Sequence, residues 1–159
     1  MDVVEPVFGQ IEAIEEGATV LARADLRASR LERIDKPAWV SFGPNVAGLL
    51  DLATTRDAVW LDVMRQLKDQ GRPVYVEIDP RTRRIRQFLQ PRQQPVGELN
   101  EIEKGDVQAN LMLSHAVHVL RRKHPRFEEF LGRLRAAQRD GSMVWVTETL
   151  DSHEIIDVE

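Results

Sequence analysis

The chain has 159 residues, 42% of them hydrophobic and 30% charged, a formal net charge of −4 and no cysteine. This size supports one domain with its own core. The composition excludes a disordered chain, and the lack of thiols excludes disulfides, thiolate nucleophiles and cysteine-ligated zinc.

Read in chain order, a β-hairpin is expected over residues 7–24, with strands Val7–Ile14 and Ala18–Ala24 around a Glu15-Glu16-Gly17 turn. Leu26, Leu31 and Ile34 fit neither period, and a short helix is expected within Asp25–Lys36. Pro37 precedes a short strand, Ala38–Phe42, and Gly43-Pro44-Asn45 ends it ahead of a short helical segment, Val46–Ala53. Thr54 and Thr55 can cap a helix over Arg56–Gln70, whose Val59, Trp60, Val63, Met64 and Leu67 share one face, with Gly71 as its stop. Pro73–Asp79 reads as a strand with Val74, Val76 and Ile78 on one face and Tyr75, Glu77 and Asp79 on the other. A turn, Pro80-Arg81-Thr82-Arg83, returns the chain as strand Arg84–Leu89.

Residues 90–95, with two prolines and three glutamines, read as a linker. A strand over Val96–Ile102 and a Lys104-Gly105-Asp106 turn lead to a strand over Val107–Leu113. Ser114 can cap a short helix, His115–Lys123, and Pro125 suits the first position of a second. That helix carries Phe127, Phe130, Leu131 and Leu134 at i, i+3, i+4 and i+7, and Gly141 ends it. Strands Met143–Thr149 and Glu154–Val158 follow, joined at Leu150-Asp151-Ser152.

Sliding the chain along itself by about 70 residues aligns Leu50 with Leu120, Gly71 with Gly141, Val74 with Val144, Val76 with Val146 and Ile85 with Ile155. The expectation is therefore an α+β fold in a single compact domain, 1–159. Two similar strand–helix–helix–strand–strand units, a pseudo-repeat of 38–89 and 108–158, pack together behind the N-terminal hairpin, with a central seam as a place for a pocket.

The candidate chemistry is sparse. His115 and His118, three apart on an expected helix, could share a metal, while His124 would point away and His153 could approach only through the fold. Glu77 and Asp79 share a strand face, which alternation alone explains. Arg81, Arg83, Arg84 and Arg86 form one basic cluster and Arg121 and Arg122 part of another; guanidinium forks suit phosphate or carboxylate groups. Tyr75 and Trp145 hold equivalent strand positions and would make an interaction patch if that face were open. No GxGxxG, Walker loop, GxSxG or HExxH motif occurs, and no catalytic residue or cofactor is assigned.

The acidic balance argues against a general nucleic-acid binder. No apolar run approaches the roughly 20 residues of a membrane helix. The start of the chain, Met1 to Pro6, lacks the basic and apolar regions of a signal peptide, so a cytoplasmic protein without a membrane partner is expected. The functional expectation is a non-enzymatic binding or protein-interaction module, with a second copy or another protein as its partner. The alternatives are an enzyme or small-ligand protein acting on an anion at the seam, and a nucleic-acid contact through the basic clusters.

Overall fold

The computed structural model describes residues 3–17 and 34–159. The chain divides into two compact units, Met1–Gln90 and Pro91–Glu159. Each unit has its own main hydrophobic cluster. Among the described residues there are eleven strands and two α-helices, and neither helix is long and apolar enough to cross a membrane.

The first unit runs β1 (Glu5–Gln10), β2 (Ala13–Glu16), β3 (Pro37–Gly43), β4 (Val46–Asp51), α1 (Thr55–Asp69), β5 (Pro73–Ile78) and β6 (Ile85–Leu89). Its sheets have the orders β1-β5-β6 and β2-β3-β4, with every neighbouring pair antiparallel. Only Ile11 and Glu12 separate β1 from β2, so one stretch of chain serves both sheets. At the far edges β4 and β6 meet in a parallel bridge at Leu49 and Arg84, where the Leu49 N–H donates to the Arg83 carbonyl at 2.8 Å.

The second unit runs β7 (Arg92–Glu101), a 3-10 turn (Glu103–Gly105), β8 (Val107–Leu111), β9 (His118–Leu120), α2 (Phe127–Asp140), β10 (Met143–Glu148) and β11 (Ile155–Val158). Its five strands have the order β11-β10-β7-β8-β9. The long β7 pairs with β10 through residues 92–95 and with β8 through residues 96–101. The outer strands β9 and β11 approach at a parallel bridge between Val119 and Glu154, and the Val119 N–H donates to the His153 carbonyl at 3.2 Å.

These findings overturn the strand–helix–helix–strand–strand units. Val46–Asp51 is a strand, and so is His118–Leu120, where short helices were expected. β4 is buried from Ala47 to Asp51, so both of its faces are apolar or paired and no alternation marks it. β9 is too short for any period to show. The N-terminal hairpin is also replaced: β1 pairs with β5 and β2 with β3, and Glu15 and Glu16 are strand residues, not a turn. The expected second hairpin strand, Ala18–Ala24, and most of the short helix within Asp25–Lys36 lie outside the described residues. Residues 92–95, expected in a linker, pair with β10.

The two long helices follow from local chemistry. The Thr54 hydroxyl accepts from the Asp57 N–H and caps α1. α1 buries Leu61, Met64 and Leu67 together with Asp57, whereas Val59, expected on the same face, is exposed. α2 buries Phe127, Phe130, Leu131, Leu134 and Ala137. Pro125 precedes the capping residue Arg126 and so stands before the first helical position, not at it. Both helices stop at a glycine of positive φ, 65° at Gly71 and 67° at Gly141, where a side chain would be strained.

Candidate functional site

β9 and β11 run parallel, so the segments leading into them, residues 112–117 and 149–153, enter at the same end of the second unit. His118 opens β9, Glu148 closes β10, and His153 stands two residues before β11 in the left-handed region, φ 52°. The hydrogen bonds from Val119 to His153 and from the His153 N–H to the Thr149 carbonyl, 3.1 Å, hold that step.

One ligand-type atom from each of His118, Glu148 and His153 lies within 4.8 Å of the others. Glu148 sits between the imidazoles: His118 Nδ1 contacts Oε2, and His153 Nδ1 lies 3.0 Å from Oε1. The rings stand edge to face with centroids 5.5 Å apart. His118 is fully buried, and its Nε2 has no hydrogen-bond partner among the described residues. Access improves outward, with the Glu148 side chain 19% and the His153 side chain 42% exposed. Around this end Met112, Leu113, Val117 and Leu150 are exposed.

Of the expected histidine pair, only His118 belongs to the cluster. Without the helix that was to hold both, His115 lies exposed in the 112–117 loop. Sequence reasoning missed Glu148, and it left His153 to the fold. A signal was available in the spacing of 70: the corresponding first-unit residues are Gly48, Ile78 and Arg83. A glutamate where the first half has a core isoleucine is a departure that periodicity does not explain.

The arginines are spread over two units and answered by carboxylates. Arg83 pairs with Glu5 at 3.1 Å, Arg84 with the buried Asp57 at 3.1 Å and Arg86 with Asp79 at 3.3 Å. Arg121 pairs with Asp106 and Arg122 with Glu128, each at 3.0 Å. Arg81 is exposed on the β5–β6 turn. Tyr75 is buried and donates its hydroxyl to Glu77 at 2.7 Å, so it offers no open patch; Trp145, in the other unit, is half-buried. Asp79 accepts from the Arg81 and Thr82 N–H groups, and those bonds, the Arg81 one foremost, hold its carboxyl below the usual carboxylate range. Glu77 and Asp79 thus have structural partners. Two surface cavities, one along Glu12–Ile14 and Arg65–Asp69 and one of about 290 Å³ beside Arg122, Phe127 and Arg135, are not lined by the histidine–glutamate cluster. Compared with models of protein families, with curated proteins and with solved structures, the chain finds no match.

Proposed function

We propose that the protein is a non-enzymatic binding protein, built of two duplicated barrel-like units, that takes its ligand at the end of the second unit where residues 112–117 and 149–153 meet. The observation that carries this reading is a contrast. Backbone hydrogen bonds recur at a spacing of 70: Leu49 to Arg83 and Val119 to His153, Asp79 to Arg84 and Thr149 to Glu154, Arg83 to Asp79 and His153 to Thr149, Arg72 to Leu67 and Ser142 to Ala137. On that common frame the second unit replaces Gly48, Ile78 and Arg83 by His118, Glu148 and His153, and the three replacements converge.

The connectivity of the second unit, with the long β7 shared between two neighbours and a parallel contact between β9 and β11, matches a small five-stranded Greek-key barrel, and in the first unit β1 and β2 together take the place of the shared strand. Barrels of this kind commonly serve binding through the loop between their last two strands, here residues 149–154; this support is an analogy of fold. Binding is favoured over catalysis because His118 is sealed from solvent and engaged with Glu148, whereas a general base must reach its substrate. The nucleic-acid reading is less favoured: Arg83, Arg84, Arg86, Arg121 and Arg122 are answered by carboxylates, and Tyr75 is buried.

The test is a thermal-shift screen of the purified chain against metal ions, small anions and short peptides, repeated with His153→Ala. At least one compound should raise the unfolding temperature of the native chain and not of the variant. Full stabilisation of the variant by every compound that binds would overturn the reading.

A further inference from the structure

We infer, resting on the binding reading above, that the ligand is a single divalent first-row transition-metal ion held by His118, Glu148 and His153. Two imidazole nitrogens and a carboxylate oxygen are the donor set of such ions; Mg²⁺ and Ca²⁺ favour all-oxygen shells. Three donors on a tetrahedral ion with bonds near 2.0–2.1 Å lie about 3.4 Å apart. The atoms here already lie within 4.8 Å, and the two outer side chains are free enough of the core to draw inward.

Each ligand is fixed by a different part of the sheet. His118 is set by the β8–β9 pairing, Glu148 by the β10–β11 pairing and His153 by the bonds at the parallel seam. The partly exposed side of His153 leaves room for the ion to arrive and for water to complete its shell. The imidazoles and Glu148 hold one another through hydrogen bonds, whose protons a bound metal would displace.

The first unit shows what this place requires. At the position corresponding to His153, Arg83 also takes a positive φ, 64°, and its guanidinium donates to the Ala47 carbonyl at 2.8 Å and pairs with Glu5 at 3.1 Å. A permanent cation thus secures the seam there. In the second unit that cation is missing, and among the described residues the partners of Glu148 are two imidazoles.

The experiment is calorimetric titration of the full chain, freed of metal by a chelator, with Zn²⁺ and with Co²⁺, whose visible bands report its ligands. One ion per chain should bind. His153→Ala should weaken binding by more than the ~10–100-fold that loss of an outer-shell partner costs. His115→Ala should leave it unchanged, and Mg²⁺ should not compete. Because His153 lies in a half-exposed turn, its variant keeps the fold-bearing pairs, and circular dichroism checks this. Failure to bind Zn²⁺ or Co²⁺, or binding indifferent to His153→Ala, overturns the inference. If metals fail while another compound of the thermal-shift screen still depends on His153, the metal inference falls alone; if nothing depends on His153, both readings fall.

Discussion

Asp157 is a residue that the surrounding structure holds against its ordinary chemistry. Burial pushes its carboxyl up to about 6, the negative charge of Glu159 adds to the rise, and Arg126 and Arg133 oppose it. Its Oδ1 accepts from Arg126 at 3.3 Å, and its Oδ2 is buried with no donor among the described residues. A carboxyl raised above its unfolded value binds its proton more tightly when folded. Its contribution to stability is complete below about pH 4 and is lost as pH rises through about 6. The first unit carries Gln87 at the corresponding position. Asp157→Asn should therefore remove part of the decline in unfolding temperature between about pH 4 and pH 6.5 and leave the variant the more stable at neutral pH. Thermal melts across that range decide it; an unchanged slope would refute the assignment.

At the scale of elements, the start of α1 is tied to two strands by one buried carboxylate. Asp57 Oδ2 accepts from the Asp51 N–H at 2.8 Å and from Arg84 at 3.1 Å, joining α1 to the end of β4 and the approach to β6. In the second unit Phe127 stands at this register and packs in the core. Asp57→Ala deprives a largely buried guanidinium of its carboxylate and a buried N–H of its acceptor, so it should cost about 3–5 kcal/mol in urea unfolding. Loss of under 1 kcal/mol would show that the pair is solvated.

The elements also differ in how far the sequence announced them. α1 was legible because a cap, an apolar stripe and a terminal glycine agree, and α2 because an apolar stripe and a terminal glycine do. β5 and β10 were legible because valines and isoleucines alternate along them, and β6 and β11 because an apolar stretch follows a turn. β4 was hidden by burial on both faces, and β9 by its length of three residues. The pairing of β1 with β5 was hidden because a neighbouring strand with a glycine turn is the simpler local solution, and only a long-range core contact overrides it. The candidate site was least legible: His118 and Glu148 are 30 residues apart, and no local pattern encodes their meeting.

For the whole molecule, the two units are not interchangeable. A Cβ at Gly48, the register partner of His118, would lie 2.6 Å from Ile85 Cγ1 and 3.3 Å from the Arg83 carbonyl. The second unit carries one more residue between the paired positions of β8 and β9 than the first does between those of β3 and β4. Val119 sits opposite Gln108, whereas Leu49 sits opposite Trp39, a spacing of 69 on one strand against 70 on the other. Two outcomes follow. Gly48→Ala should destabilise the chain by about 1–3 kcal/mol, as overpacked cores do. Native mass spectrometry of the metal-loaded chain should count one transition-metal ion, and a count of two would mean that the first unit also has a site.

The parallel seams carry a consequence for amide exchange. A backbone hydrogen bond joins the parallel edge segments in each unit, but the N···O separation is 2.8 Å at Leu49 and 3.2 Å at Val119. Longer, weaker bonds open first, so the Val119 amide should trade its hydrogen for deuterium sooner than that of Leu49. An ion clasping His118 and His153 on either side of that bond should slow Val119 and leave Leu49 untouched. A single backbone proton would then time how often the second unit opens its edge.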